Sequence, residues 1–214
     1  AAGFNSLGIL FGGGVGLVMA QWIADGTPPV DVSDIDIARL MPFQNNPRYL
    51  HDRTVELLGW QYISWPNLQA ETARNVRRSA MHDRLAAAGA YFGQSVGWEY
   101  PDWVAPKGVE PKVDYSWGRQ NWFEYAAEEH RAAREDVILM DLTHMSKLLV
   151  QGRDAETVLN RICANNVAVP VGRIVYTQWL NRRGTIEADL TVTRLAEDCF
   201  LLVLVDSMHR HVVG

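Results

Sequence analysis

The chain has 214 residues, of which 48% are hydrophobic and 21% are charged, and its formal net charge is -5. A chain of this length buries enough apolar surface for one or two globular domains. The acidic balance argues against nucleic acid or an anionic membrane as the main partner, because both attract clustered Lys and Arg. Small molecules and other proteins remain as partners.

The N-terminal segment is apolar and rich in glycine. Residues 3–9 and the glycines of residues 12–16 predict turns, and residues 17–24 predict a buried helix behind this entrance. The apolar run from Leu7 to Ala20 is shorter than the roughly 20 residues of a membrane-spanning helix, and no basic residue precedes it. We therefore expect neither a membrane span nor a signal peptide.

The glycine cluster has two possible uses. Glycines let backbone N–H groups approach a nucleotide, and they equally allow close helix packing. The dinucleotide fingerprint GxGxxG does not fit, because Leu17 or Met19 occupies its last position. Both uses stay open at this point. The chain starts at Ala1 without an initiator Met, so we also expect a piece of a longer polypeptide.

The remaining pattern predicts a mixed α+β fold. Helical periodicity and capping residues mark helices, and alternating apolar residues mark strands. We predict helices over residues 49–63, 80–88, 124–134 and 155–163, a linker over 100–111, and strands over 91–98, 137–140, 147–150, 174–180, 186–195 and 199–205.

Three polar stretches near the C-terminal end, residues 141–145, 176–181 and 183–192, predict a pocket. Apolar residues alternate with Glu187, Asp189 and Thr191, so one face of a strand presents the polar side chains. A solvated outer face is the alternative use of Asp189. Asp141 and His144 could form an acid–base pair, although the same residues make an ordinary turn. The histidines lack metal-binding spacing, and we expect no metal.

Two cysteines, Cys163 and Cys199, lie in apolar surroundings. No CxxC or Cys/His spacing accompanies them, so they predict buried free thiols rather than a zinc site. A reducing compartment fits this use.

Several of these stretches match a known family. Residues 3–9, 12–16 and 22–26 resemble the last part of the flavin domain of the dimethylglycine and sarcosine dehydrogenase family. Residues 129–134, 141–145, 176–177 and 184–190 resemble its aminomethyltransferase domain, which also occurs in the glycine cleavage T-protein. The resemblance implies the C-terminal end of an FAD-dependent domain over residues 1–40, a central connecting domain over 41–98, and the N-terminal part of a folate-binding aminomethyltransferase domain over 99–214.

The resemblance implies an FAD-dependent amine dehydrogenase. Hydride would pass from an N-methyl carbon of a dimethylglycine-type or sarcosine-type substrate to the flavin, and tetrahydrofolate would capture the one-carbon unit. By the same resemblance, Asp189 is the catalytic residue, and Met145, Leu149 and Tyr176 line the folate pocket. The predicted FAD contacts are Gly3, Phe4, Asn5, Ser6, Leu7, Gly8 and Ile9.

This chain departs from the family pattern at two positions. Ala188 stands where the T-protein has a second acidic residue, and Thr185 replaces a glycine. The expected partners are a small N-methyl amine and the rest of the same polypeptide, in the bacterial cytoplasm or the mitochondrial matrix, and the electron acceptor is not indicated. A non-catalytic folate-binding or scaffold module is the alternative.

Overall fold

The computed structural model describes residues 1–4 and 6–213. The chain divides into two units, Ala1–Arg39 and Leu40–Gly214. Each unit is described by itself below.

The first unit is built around one helix, α1 (Gly8–Asp25). It ends where Gly26 adopts a left-handed conformation with φ of 74° and donates its N–H to the carbonyl of Trp22. The glycines of residues 12–16 lie inside this helix, so the predicted glycine-rich entrance before residue 17 is wrong. The predicted burial is also wrong, because α1 contains no buried residue.

Helix α1 is longer at its C-terminal end than the apolar run from Leu7 to Ala20 predicts. It has 18 residues and continues to Asp25. By length and composition alone, α1 could cross a membrane. The core helix of a soluble protein or a signal sequence passes the same test, so this finding does not choose among them.

The second unit opens with α2 (Pro47–Gly59), which a 3-10 turn, Trp60–Tyr62, extends. Asn46 caps α2, because its side-chain oxygen accepts the backbone N–H groups of Arg48 and Tyr49. The predicted helix over residues 49–63 is confirmed, with its start two residues earlier because Pro47 fits the first helical turn.

A three-stranded sheet follows α2. Its strands are β1 (Arg77–Arg78), β2 (Ala90–Ser95) and β3 (Trp98–Val104) in the order β1-β3-β2, and α3 (His82–Ala87) precedes β2. The linker predicted to start at Tyr100 is wrong, because β3 continues to Val104. Pro101 is tolerated there because it pairs with Phe92 beside an irregularity in the strand register.

A buried ion pair fixes this first sheet to the chain before it. The side chain of Glu99 is 2% exposed and forms an ion pair with Arg74. Glu99 also accepts the backbone N–H of Asn75 at 2.6 Å. A buried carboxylate needs such partners, because an unpaired charge in the interior is costly.

The larger sheet has four antiparallel strands in the order β4-β7-β6-β5. These are β4 (Ser146–Gln151), β5 (Ile174–Leu180), β6 (Ile186–Ala196) and β7 (Cys199–Leu204). Three helices accompany the strands, namely α4 (Phe123–Glu135), α5 (Ala155–Ile162) and α6 (His209–Val213). All four strands confirm predicted ones to within a residue at each end.

The core lies on one face of this sheet. Alternate residues of β6 and β7 are buried there against α5. The buried members are Ala155, Leu159, Val167, Ala188, Leu190, Val192, Phe200, Leu202 and Leu204. The opposite face of the sheet therefore carries the residues that alternate with these.

The strand predicted over residues 137–140 is wrong. These residues carry neither helix nor strand, and the side chains of Val137 and Leu139 are 94% and 87% exposed. Their β-branched and apolar character suits a strand, but strand structure also requires a paired neighbour.

Candidate functional site

The candidate site lies on the face of the four-stranded sheet that is turned away from the core. Gln178 pairs directly with Asp189, and Tyr176 pairs with Thr191. Residues directly opposite each other in antiparallel strands project from the same face. We call this surface the open face, and its members are Lys147, Leu149, Tyr176, Gln178, Asp189, Thr191, Leu201 and Val203.

Asp189 is the centre of a polar group on the open face. The amide Nε2 of Gln178 donates to Asp189 Oδ1 at 2.8 Å. Tyr176 lies beside Asp189, and hydrogen bonding to this carboxylate, together with slight desolvation and the nearby negative charge, raises the pKa of the Tyr176 hydroxyl. The three side chains therefore present one carboxylate, one amide and one hydroxyl at the surface.

The other predicted folate contacts lie toward the far edge of the same sheet. Leu149 is 62% exposed on β4, and it shares the open face with Tyr176 on β5. Three strand spacings separate β4 from β5, which is about 14 Å. Met145 lies one residue before β4 and is half-buried. The structure thus places Asp189 and Tyr176 together and places Leu149 across the sheet from them.

A second carboxylate stands close to Asp189 on β6. Glu187 Oε1 accepts a hydrogen bond from Asn181 Nδ2 at 2.6 Å, and Glu187 Oε2 lies 2.8 Å from His211 Nε2. Sequence reasoning noted the polar alternation at Glu187 but missed Gln178 and His211. The alternation of β5 could have indicated Gln178, whereas no local pattern indicates that α6 brings His211 to β6.

A cavity of about 560 Å³ lies elsewhere in this unit, between β3, α4 and residues 138–144. Its polar lining consists of Asp102, Glu129, His130, Asp141 and His144. Burial raises the pKa of Asp102 above its ordinary value. The predicted contacts Asp189, Tyr176, Leu149 and Met145 do not line this cavity. The three stretches predicted to form one pocket are therefore divided between the cavity and the open face.

Asp141 makes the ordinary turn that the sequence allowed. Its carboxylate accepts the hydroxyl of Ser79, and Oδ1 accepts the backbone N–H of Thr143 at 3.0 Å. Partial burial opposes ionisation, but these hydrogen bonds hold the pKa of Asp141 below its ordinary value. His144 instead lies against the ring of Tyr100, at 5.1 Å between ring centroids. The carboxylate of Asp141 is thus used in the turn, and the ring of His144 packs on Tyr100.

The predicted FAD contacts lie in the first unit, around the start of α1. Gly3 and Ser6 have positive φ angles of 80° and 70°, and the N–H of Leu7 donates to the carbonyl of Phe4 at 2.9 Å. Gly8 and Ile9 begin the helix, whose first turn has no acidic residue and whose N-cap makes no side-chain hydrogen bond. Asn5 lies outside the described residues. A helix start of this kind offers backbone N–H groups to a negatively polarised acceptor.

Metal and thiol chemistry have little support in the described residues. Within residues 1–4 and 6–213, no group of three His, Cys, Asp or Glu side chains is placed to hold a metal ion. Cys163 and Cys199 are both free and partly buried, and burial raises the pKa of the Cys163 thiol. A raised pKa favours the unreactive thiol form.

Comparison with known proteins finds two family models along the chain. The GCVT N-terminal domain matches residues 81–214, and the FAD dependent oxidoreductase central domain matches residues 25–79. The first of these models alone covers more than half of the chain.

Curated relatives match nearly the whole chain. A 4-methylaminobutanoate oxidase (formaldehyde-forming) of Paenarthrobacter nicotinovorans is 49% identical over 95% of this chain and 25% of its own length. Human mitochondrial sarcosine dehydrogenase is 32% identical over 91% of this chain and 24% of its own. The mouse mitochondrial pyruvate dehydrogenase phosphatase regulatory subunit is 30% identical over 94% and 24%. The chain thus spans about a quarter of the length of these relatives.

Proposed function

The chain belongs to the family with a GCVT N-terminal domain joined to an FAD-dependent oxidoreductase central domain, and from this premise we propose its function. We propose that it is part of an FAD-dependent N-methyl amine oxidase or dehydrogenase that passes the released carbon to tetrahydrofolate. The substrate is of the sarcosine or dimethylglycine type. Relatives named as oxidases and dehydrogenases of N-methyl amino acids support the oxidative half of this proposal.

The observation that carries the folate half is the group formed by Tyr176, Gln178 and Asp189 on the open face. The carboxylate of Asp189 would orient the nitrogens of folate and stabilise positive charge that develops during carbon transfer. Tyr176 and Leu149 would supply the apolar surface that a pterin ring needs. Ala188 points into the core and is 3% exposed, so Asp189 performs this role without an adjacent carboxylate at position 188.

The start of α1 fits the proposed FAD contact. When bound, FAD supplies the two-electron oxidation of the N-methyl group. The first-turn N–H groups of α1 would donate to negative charge on the cofactor, because no acidic side chain competes for them. The left-handed conformations at Gly3 and Ser6 give the segment before the helix its turn.

Replacement of Asp189 by Ala in the full-length protein tests this proposal. We expect the oxidation of sarcosine, dimethylglycine or 4-methylaminobutanoate to persist while the rate of methylene-tetrahydrofolate formation falls at least about tenfold, because loss of an electrostatic contact to the transition state costs on the order of 10²–10³ in rate. Free formaldehyde should rise in step with the loss. Asp154→Ala is the matched control, because Asp154 precedes α5 on the core side of the sheet. An unchanged rate of methylene-tetrahydrofolate formation in Asp189→Ala would remove Asp189 from the folate site.

A second candidate function is a non-catalytic folate-binding or scaffold module. The similarity to a relative named as a regulatory subunit favours this alternative, because that protein matches the same span of the chain. A flavin absorbance band and amine oxidation by the full-length protein would exclude it. Folate binding without either signal would establish it.

A further inference from the structure

Residues 137–140 form an exposed apolar segment whose backbone groups are unpaired. The side chains of Val137, Leu139 and Met140 are 94%, 87% and 61% exposed. Among the described residues, 1–4 and 6–213, no hydrogen bond involves the backbone N–H or C=O groups of residues 137–140. Exposed apolar side chains mark interaction surfaces, and a row of unpaired backbone groups is a template for strand pairing. The segment therefore has both features of a site where another strand binds.

The same segment forms one wall of the cavity of about 560 Å³, and β3 forms another. Strand β3 pairs with β2 on one side, whereas β1 covers only Trp98 and Glu99 on the other. Beyond Glu99, this edge of β3 has no strand neighbour in the described part of the chain. The N–H of Val104 points to the free edge, because it donates to Glu129 Oε1 at 2.8 Å and not to β2. Glu129 also lines the cavity, so the cavity lies beside the free edge of β3.

The size of the cavity suits a short strand. One residue of a strand in a packed sheet takes up about 160 Å³, given a rise of about 3.3 Å, a strand spacing of about 4.8 Å and a layer thickness of about 10 Å. The cavity of about 560 Å³ therefore holds roughly three to four residues of a strand. The unpaired segment 137–140 matches this length.

The charged groups that line the cavity are negative. Asp102, Glu129 and Asp141 line it together with two histidines, and the described lining contains no Lys or Arg. Glu129 and Asp141 already accept hydrogen bonds from within the protein. Asp102 has no hydrogen-bond or ion-pair partner among residues 1–4 and 6–213. Asp102 is therefore the carboxylate that a cation from an occupant of the cavity would pair with, because a neighbouring Lys or Arg stabilises the charged form.

We propose that an extended segment of the full-length polypeptide, from outside residues 1–214, fills this cavity, pairs its backbone with residues 137–140 and places a Lys or Arg beside Asp102. The chain spans 25% of the length of the 4-methylaminobutanoate oxidase relative, so a full-length protein of that size has about three quarters of its residues available for this contact. The pairing would supply the strand neighbour that residues 137–140 lack.

The same polypeptide fits the cavity better than a second copy of the chain does. A second copy would bring a net charge of -5 and the same carboxylates to an acidic cavity. A segment of the same polypeptide also binds at a high effective concentration, because it is tethered to the site. This docking depends on the longer polypeptide and not on folate binding.

Photo-cross-linking from residue 139 of the full-length protein tests the identity of the occupant. With p-benzoylphenylalanine in place of Leu139, the position stays apolar, and we expect a cross-link to a segment outside residues 1–214 of the same molecule. That segment should contain a Lys or Arg. The same replacement at Lys107, in the exposed loop after β3, is the control and should not give this product.

Hydrogen exchange of the unmodified full-length protein tests the pairing itself. We expect the amides of residues 137–140 to exchange at least about a hundredfold more slowly than in an unstructured peptide of the same sequence, because paired strand amides are protected.

Cross-links that stay within residues 1–214, that join two copies, or that form equally from position 107 would overturn the proposed occupant. Unprotected amides at residues 137–140 would overturn the pairing. Neither measurement uses folate, so a failure here leaves the test of the proposed function by Asp189→Ala unaffected.

Discussion

Asp141 and Asp189 are two carboxylates that the fold uses differently. Asp141 accepts a hydroxyl from Ser79, 62 positions earlier in the chain, and a backbone N–H from Thr143. Its bonds are therefore satisfied within the protein. Asp189 instead sits exposed between the side chains of Gln178 and Tyr176, which leaves it accessible to a ligand. Asp141 supports the structure, and Asp189 is the residue to which we assign folate binding and carbon transfer.

The lowered pKa of Asp141 makes its contribution to stability depend on pH. An acid whose pKa is lower in the folded state stabilises the fold above its unfolded value of about 4. That contribution is lost as the pH falls through the folded value. We expect Asp141→Asn to lower the free energy of unfolding by about 1–2 kcal/mol at pH 7, as for loss of a charged hydrogen bond, and by less at pH 3.

Urea denaturation of the two proteins at pH 7 and pH 3 measures this difference. Asp136→Asn is the control, because Asp136 is exposed at the end of α4. A destabilisation by Asp141→Asn that is the same at both pH values would contradict the assignment.

Residue-scale prediction from the sequence succeeded where a local pattern exists. The alternation at residues 186–192 indicated the exposed side of Asp189, and the short spacing from Asp141 to His144 allowed the turn that the structure shows. No local pattern indicates the contact of His211, because its partner Glu187 is 24 residues away. Contacts between distant elements depend on tertiary packing, which local periodicity does not contain.

At the scale of elements, the β2–β3 hairpin depends on glycine at its base. Gly89 has φ of +98°, and a Cβ at this position would lie 2.5 Å from the carbonyl oxygen of Ala105. The backbone of Ala105 cannot move away easily, because its N–H donates to the carbonyl of Gly89 at 2.8 Å. Any side chain at residue 89 therefore meets both backbone strain and a clash.

We expect Gly89→Ala to destabilise the protein more than Gly108→Ala. Both glycines have positive φ, but a Cβ at Gly108 meets nothing within 4 Å, so that variant carries only the strain of about 1–2 kcal/mol. Gly89→Ala should cost at least about 2 kcal/mol more, as for overpacking against fixed atoms. Thermal unfolding of the two variants tests this ranking, which equal melting temperatures would refute.

Element-scale prediction worked for strands that pair and failed for a segment that does not. The strands from Ser146 to Leu204 alternate clearly, and the structure confirms them. Residues 137–140 are all apolar and include two β-branched residues, but they have no paired neighbour in the described part of the chain, so their composition alone predicts a strand wrongly. The glycines of residues 12–16 predict turns, whereas the structure includes them in α1.

At the scale of the whole molecule, the predicted mixed α+β organisation and the family are confirmed. The boundary between the two structural units falls in the sequence between residues 39 and 40, whereas the boundary between the two family models falls near residue 80. We retain as a proposal the boundaries after residues 40 and 98. Because the chain spans about a quarter of its relatives, FAD binding, electron acceptor and oligomeric state belong to the full-length protein.

The central claim is that folate binds the open face of the four-stranded sheet. The most direct test is the affinity of 5-formyltetrahydrofolate for the full-length protein with Thr191→Arg, which places a large side chain between Tyr176 and Val203. We predict a dissociation constant at least about tenfold larger, which corresponds to about 1.4 kcal/mol of lost binding free energy. Thr157→Arg, on the exposed side of α5, should have no such effect. Equal affinity in wild type and Thr191→Arg would contradict the account.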